Sequence, residues 1–121
     1  MRVIVTNNPL VRDKFSAESC DMIEFFDTDY PGVLKAVRDK IHLGHSLLTH
    51  PLSGSVKPGE TPYKTVVLSA EKSSLNEESL NIIENSIQTC VKLAKNSKKK
   101  AWGKEILSDF QLIDYDLIFS K

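Results

Sequence analysis

Apolar positions in this chain fall into short clusters separated by polar punctuation, and the spacing within each cluster identifies its element. Val3 to Thr6 is a β-branched run that predicts a buried strand, ending at Asn7-Asn8-Pro9. Asn8 is suited to cap a short helix with Pro9 at its first position, where the missing N–H costs nothing. Met22 to Phe26 predicts a second strand through Ile23, Phe25 and Phe26. Asp29 then caps a helix expected over Tyr30 to Leu43, with Pro31 in its first turn. Val33, Leu34, Val37 and Ile41 form the apolar stripe of that helix, and Gly44 stops it. Thr65 to Ala70, TVVLSA, is the clearest strand.

Ser74-Leu75-Asn76-Glu77 matches a capping box and opens a helix expected over Leu75 to Asn96. Leu80, Ile83, Ile87, Val91 and Ala94 recur at helical spacing, with Cys90 on the same face. The C-terminal stretch ILSDFQLIDYDLIFSK fits two periods. Phe110, Ile113 and Leu117 suit one face of a helix, whereas Ile113, Tyr115, Leu117 and Phe119 suit a strand; the helix is preferred. This alternation predicts one α/β domain over residues 1–121. Its form would be a three-layer, Rossmann-like sandwich, with a small, mostly parallel sheet of three to four strands flanked by helices. Ligands in such folds sit beyond the carboxyl ends of the strands, where Asn7 and Asn8 lie. The helix ending at Gly44 delivers the chain to the other end of the sheet. Ser46 to His50 is therefore expected to run back as a fourth short strand, unless Thr65 to Ala70 pairs antiparallel.

Composition narrows the class. The 121 residues carry sixteen basic and sixteen acidic side chains, so no global field favours nucleic acid or an anionic membrane. Lys92, Lys95, Lys98, Lys99, Lys100 and Lys104 gather around Trp102, but nearby acidic residues dilute the patch and nucleic acid is not expected as a partner. No apolar run approaches the ~20 residues of a membrane span, and the N-terminus lacks the form of a signal peptide. Cys20 and Cys90 are far apart without a CxxC, which suits reduced thiols in the cytoplasm.

The segment His42 to Lys64, HLGHSLLTHPLSGSVKPGETPYK, holds all three histidines and three of the five prolines. It is the stretch expected to carry function. TNNPLV near the N-terminus, HLGHSLLTHPLSGSVKP, TPYKT and the terminal DFQLIDYDLI resemble the GrdX-type small proteins. That family is encoded beside glycine, sarcosine and betaine reductases in amino-acid-fermenting anaerobic bacteria. The resemblance spans most of the chain and implies an intracellular bacterial protein with an auxiliary role to a selenium-dependent reductase. It brings no catalytic assignment and no cofactor.

Three chemistries remain for the segment. His42, His45 and His50 are good metal ligands, but no cysteine or acidic residue joins them before Glu60, so no metal site is assigned. Ser53-Gly54-Ser55-Val56-Lys57 offers hydroxyls, a close-approach glycine and a cation to a phosphate or carboxylate, although it is not a P-loop. Nucleophilic catalysis lacks a GxSxG elbow and an acidic residue placed to orient a histidine; no catalytic residue is named and enzymatic activity stays open. The binding residues expected are Asn7, Asn8, His45, His50, Ser53, Ser55, Lys57 and Tyr63, brought together if the segment folds over the tip of the first strand. Expected partners are a reductase-complex protein, a small carboxylate or phosphate, or a second copy of the chain.

Overall fold

Strand β1 (Arg2–Thr6) runs through the middle of a three-stranded sheet, with β2 (Met22–Phe25) on one side and β3 (Thr65–Ser69) on the other. Helix α1 (Pro9–Phe15) links β1 to β2, and α2 (Tyr30–His42) follows β2. Helices α3 (Glu77–Asn96) and α4 (Lys104–Phe119) complete the mixed α/β chain after β3. This computed structural model describes residues 2–15, 22–52, 62–96 and 103–119. The C-terminal stretch is thus a helix, as preferred from its pattern.

The sheet is mixed rather than mostly parallel. β1 pairs parallel with β2, Val3 opposite Met22 through Thr6 opposite Phe25. It pairs antiparallel with β3, Arg2 opposite Ser69 through Thr6 opposite Thr65. The reason is the path between α2 and β3. At the foot of the sheet the Ser69 N–H donates to the Ser46 carbonyl (2.8 Å), and further up Leu48 N–H donates to the Val67 carbonyl (2.9 Å). The ascending leg of the crossover is therefore residues 46–49, and β3 has to descend from the tip. That leg is not a full fourth strand. It makes one isolated antiparallel bridge, Leu47 with Leu68, and the Val67 N–H is taken by the Thr49 hydroxyl (3.0 Å) instead of a backbone carbonyl.

Alternation along the strands sends side chains to two faces. Val3, Val5, Val66 and Leu68 join Tyr30, Val33, Leu34, Val37 and Ile41 of α2 and Ile83, Ile87 and Cys90 of α3 in the larger core. The stripe predicted for α2 is fully buried, each such side chain contributing about 1.5–3 kcal/mol. On the opposite face Ile4 and Val67 pack with Val11 of α1, and Ile23 and Tyr115 close over them. In α3 Ile83, Ile87 and Cys90 of the expected stripe are buried, whereas Val91 is exposed.

The helix ends follow capping chemistry. Asn8 Oδ1 accepts from Leu10 N–H (3.0 Å) and Asp29 Oδ1 from Gly32 N–H (2.9 Å), both as expected. The α3 cap is Asn76 rather than Ser74: its Oδ1 accepts from Ser79 N–H at 2.8 Å. This start places Glu77 and Glu78 in the first turn, against the positive end of the helix dipole. Helix α2 ends in a Schellman turn, with Gly44 N–H on the Ile41 carbonyl and His45 N–H on the Lys40 carbonyl. Gly44 takes φ +109°, a conformation that suits a residue without Cβ.

Candidate functional site

At the tip of the sheet the paired strand ends present two threonines, and four further segments converge on them. Thr6 and Thr65 face each other across the β1–β3 register with their hydroxyl oxygens 2.8 Å apart. Asn7 and Asn8 leave β1 here, Thr28 arrives from the turn after β2, and Pro62-Tyr63-Lys64 leads into β3. Helix α4 lays Gln111 and Asp114 over the threonines.

Asn7 is a three-way clasp. Its amide donates to the carbonyls of Thr28 and Pro62, each at 2.8 Å, and its Oδ1 accepts the Lys64 N–H at 2.9 Å. Asn8 is fully buried: besides capping α1, its amide donates to the Gln111 carbonyl (2.9 Å) and to Asp114 Oδ2 (3.0 Å). Asp114, only 6% exposed, receives two more donors, the Thr65 N–H at 3.1 Å and the Thr65 hydroxyl at 2.6 Å. The last distance is that of a charge-assisted O–H···O⁻ bond. Burial pushes the Asp114 carboxyl above its ordinary value, while the bonds from Thr65 and Asn8 and the Lys64 charge pull the other way. Lys64 is buried as well, and desolvation lowers it to about 8, partly opposed by Asp114. Tyr63 joins the edge of this cluster, its hydroxyl accepting from Gln111 Nε2 at 2.9 Å.

Of the residues expected to bind, Asn7, Asn8 and Tyr63 therefore meet at the tip, and Asn7 and Asn8 are engaged by the protein's own groups. His45 lies at the other end of the sheet, buried, with Nδ1 2.7 Å from the Ser69 carbonyl. A carbonyl only accepts, so Nδ1 carries the proton there. His50 is exposed, and its Nδ1 accepts from Leu52 N–H at 3.0 Å. Ser53, Ser55 and Lys57 lie outside the described residues. The residues on either side of them do reach the tip region: the Tyr30 hydroxyl donates to the Pro51 carbonyl (3.2 Å), and the Pro62 carbonyl accepts from Asn7. Exposed His42, at the end of α2, completes the histidine set. Among the described residues no three His, Cys, Asp or Glu side chains cluster closely enough to hold a metal ion. Nor, among them, is any helix long and apolar enough to cross a membrane.

The sequence reading missed Thr6, Lys64, Thr65, Gln111 and Asp114. Thr6 and Thr65 carried a signal, since each ends an apolar strand at the same edge of the sheet. Asp114 carried one too, as an acid inside the apolar run LIDYDLI.

A search of curated proteins and a search of solved structures each found no match. A family model described as GrdX-like protein matches residues 3–121, a span that includes every residue of the sheet tip. The chain therefore belongs to the GrdX-like protein family.

Proposed function

We propose that this protein is a non-catalytic cytoplasmic accessory factor of glycine, sarcosine or betaine reductase metabolism, acting by binding a protein of the reductase system. Family membership over residues 3–121 carries the reading, because it fits association with the reductase genes. The tip geometry is consistent with a non-catalytic role. Its polar side chains spend their hydrogen bonds on one another, and the buried histidine is at the far end of the sheet. Affinity capture with the full chain from glycine-grown cells tests this. Recovery of a glycine, sarcosine or betaine reductase component is the expected result, and its consistent absence would sink the proposal.

A second reading has one specific observation behind it: both flanks of residues 53–61 return to the tip side, at Tyr30 and Asn7. In it Asn7, Asn8, His50, Ser53, Ser55, Lys57 and Tyr63 serve a small carboxylate or phosphate, by binding or by an undescribed reaction, while His45 at the foot of the sheet is left out. A thermal screen of glycine, sarcosine, betaine, acetyl phosphate and nucleotides decides it. A ligand at ~100 times its Kd stabilises the fold by ~2.7 kcal/mol, a shift of several degrees. If no compound moves the midpoint, this reading fails.

A further inference from the structure

The donors around Asp114 form a set that would serve a free carboxylate equally well. A carboxylate only accepts, so the Thr65 hydroxyl donates to Oδ2, which commits its single proton. The Thr6 hydroxyl then has to donate to Thr65, and its own oxygen accepts the Asn8 N–H at 3.0 Å. This relay, together with the Thr65 N–H and the Asn8 amide, directs its protons at one point. Lys64 adds positive charge beside it. Every one of these groups belongs to the sheet tip; the acceptor alone comes from α4.

Helix α4 also presents apolar side chains to solvent. Its outward side leaves Ile106 (49%), Leu112 (48%) and Ile113 (45%) exposed. Asp114 and the Gln111 carbonyl and side chain tie it to the tip, and Tyr115 packs on the Ile4, Val11 and Val67 cluster beneath the Lys14 ammonium at 4.9 Å. We propose that the sheet tip is a carboxylate-recognition site occupied in cis by α4, with Asp114 standing in for the carboxylate of a small organic acid that displaces the helix. Removal of α4 would leave Thr65 N–H, Thr65 hydroxyl and Asn8 amide as donors for that acid.

The test is amide hydrogen exchange of the full wild-type chain in 0.3 M sodium acetate against 0.3 M sodium chloride at equal pH. A carboxylate with a dissociation constant near 0.1 M at the uncovered site increases α4 opening about fourfold under these conditions. The expected result is faster exchange across residues 104–119 in acetate, with β1 and β3 unchanged. Equal α4 rates in the two salts overturn the proposal. Asp114→Ala supplies a second measurement: acetate fills the vacated space and raises the melting midpoint by about 3 °C over chloride. A folded variant indifferent to acetate also overturns it, and if the variant does not fold the wild-type exchange decides alone. The exchange readout is independent of any reductase partner, so its failure is distinguishable from failure of the capture experiment.

Discussion

Replacing Asn7 by alanine removes three hydrogen bonds at once and strands backbone groups in three segments, the carbonyls of Thr28 and Pro62 and the Lys64 N–H. The Lys64 N–H is buried, and an unsatisfied buried donor costs about 1–3 kcal/mol. The two carbonyls are partly buried, so water replaces some of what they lose, leaving about 0.5–1.5 kcal/mol each. Together the loss is about 2–6 kcal/mol, a large share of the roughly 5–15 kcal/mol that keeps a domain folded. Urea unfolding followed by far-UV circular dichroism measures it as a fall in midpoint at constant slope. Asn7→Asp sharpens the test. It keeps an acceptor for Lys64 but sets a carboxylate oxygen against two carbonyl oxygens now 2.8 Å from the amide nitrogen. The ordinarily mild change is therefore expected to cost at least as much as alanine. A loss below about 1 kcal/mol for Asn7→Ala would refute the assignment of this side chain as a clasp.

Three other outcomes follow from the buried groups and the turn after α2. Lys64 titrates at about 8 when folded against 10.5 unfolded, so between those values the unfolded chain holds the extra proton and stability rises with pH. Wild type should gain up to about 3 kcal/mol on Lys64→Met from pH 8 to 10.5, read from paired urea midpoints; a flat difference contradicts the burial of its ammonium. Gly44→Ala puts a Cβ 2.4 Å from the Ser73 carbonyl oxygen at φ +109°, and should lower stability by about 2–4 kcal/mol; an unchanged thermal midpoint would show that the turn is not strained by a side chain. Cys90 is buried and desolvation raises its thiol to about 11, so in a Cys20→Ser background it should react with an aromatic disulfide reagent only as fast as the protein unfolds. Stoichiometric reaction within seconds in native buffer would disprove that.

Much of the scaffold was legible because local chemistry and burial agree in it. Asn8 and Asp29 cap the helices that their types and positions suggest, and the Val33-Leu34-Val37-Ile41 stripe faces the core without exception. Capping types alone were not enough before α3, where Ser74 and Asn76 both qualify. The position that brings two glutamates into the first turn prevails. Strand direction was not readable, because the sense of β3 depends on which leg of the crossover pairs with the sheet. Thr49 settles that, its hydroxyl oxygen accepting the Val67 N–H. The largest departure is in α4. Periodicity turned Ile113 inward, yet Ile113 is exposed and Asp114 is buried. The sheet tip is polar where α4 crosses it, at Thr65 and Asn8, and requires acceptors rather than methyl groups. A hydrophobicity pattern has no means of registering that demand. The same blindness applies to His45, whose burial reflects one carbonyl, Ser69, at the foot of the sheet.

The bond between Thr65 and Asp114 joins positions 49 residues apart, and that between Asn8 and Asp114 joins positions 106 apart. During synthesis from the N-terminus, all three strands therefore exist before the residue that closes their common end. At about 5–20 residues per second, Asp114 is added roughly 2–10 s after Thr65. Until Asp114 emerges from the ribosome the sheet end lacks its last latch, and ribosome-bound forms should be more sensitive to proteases at Thr6–Asn8 than the released protein.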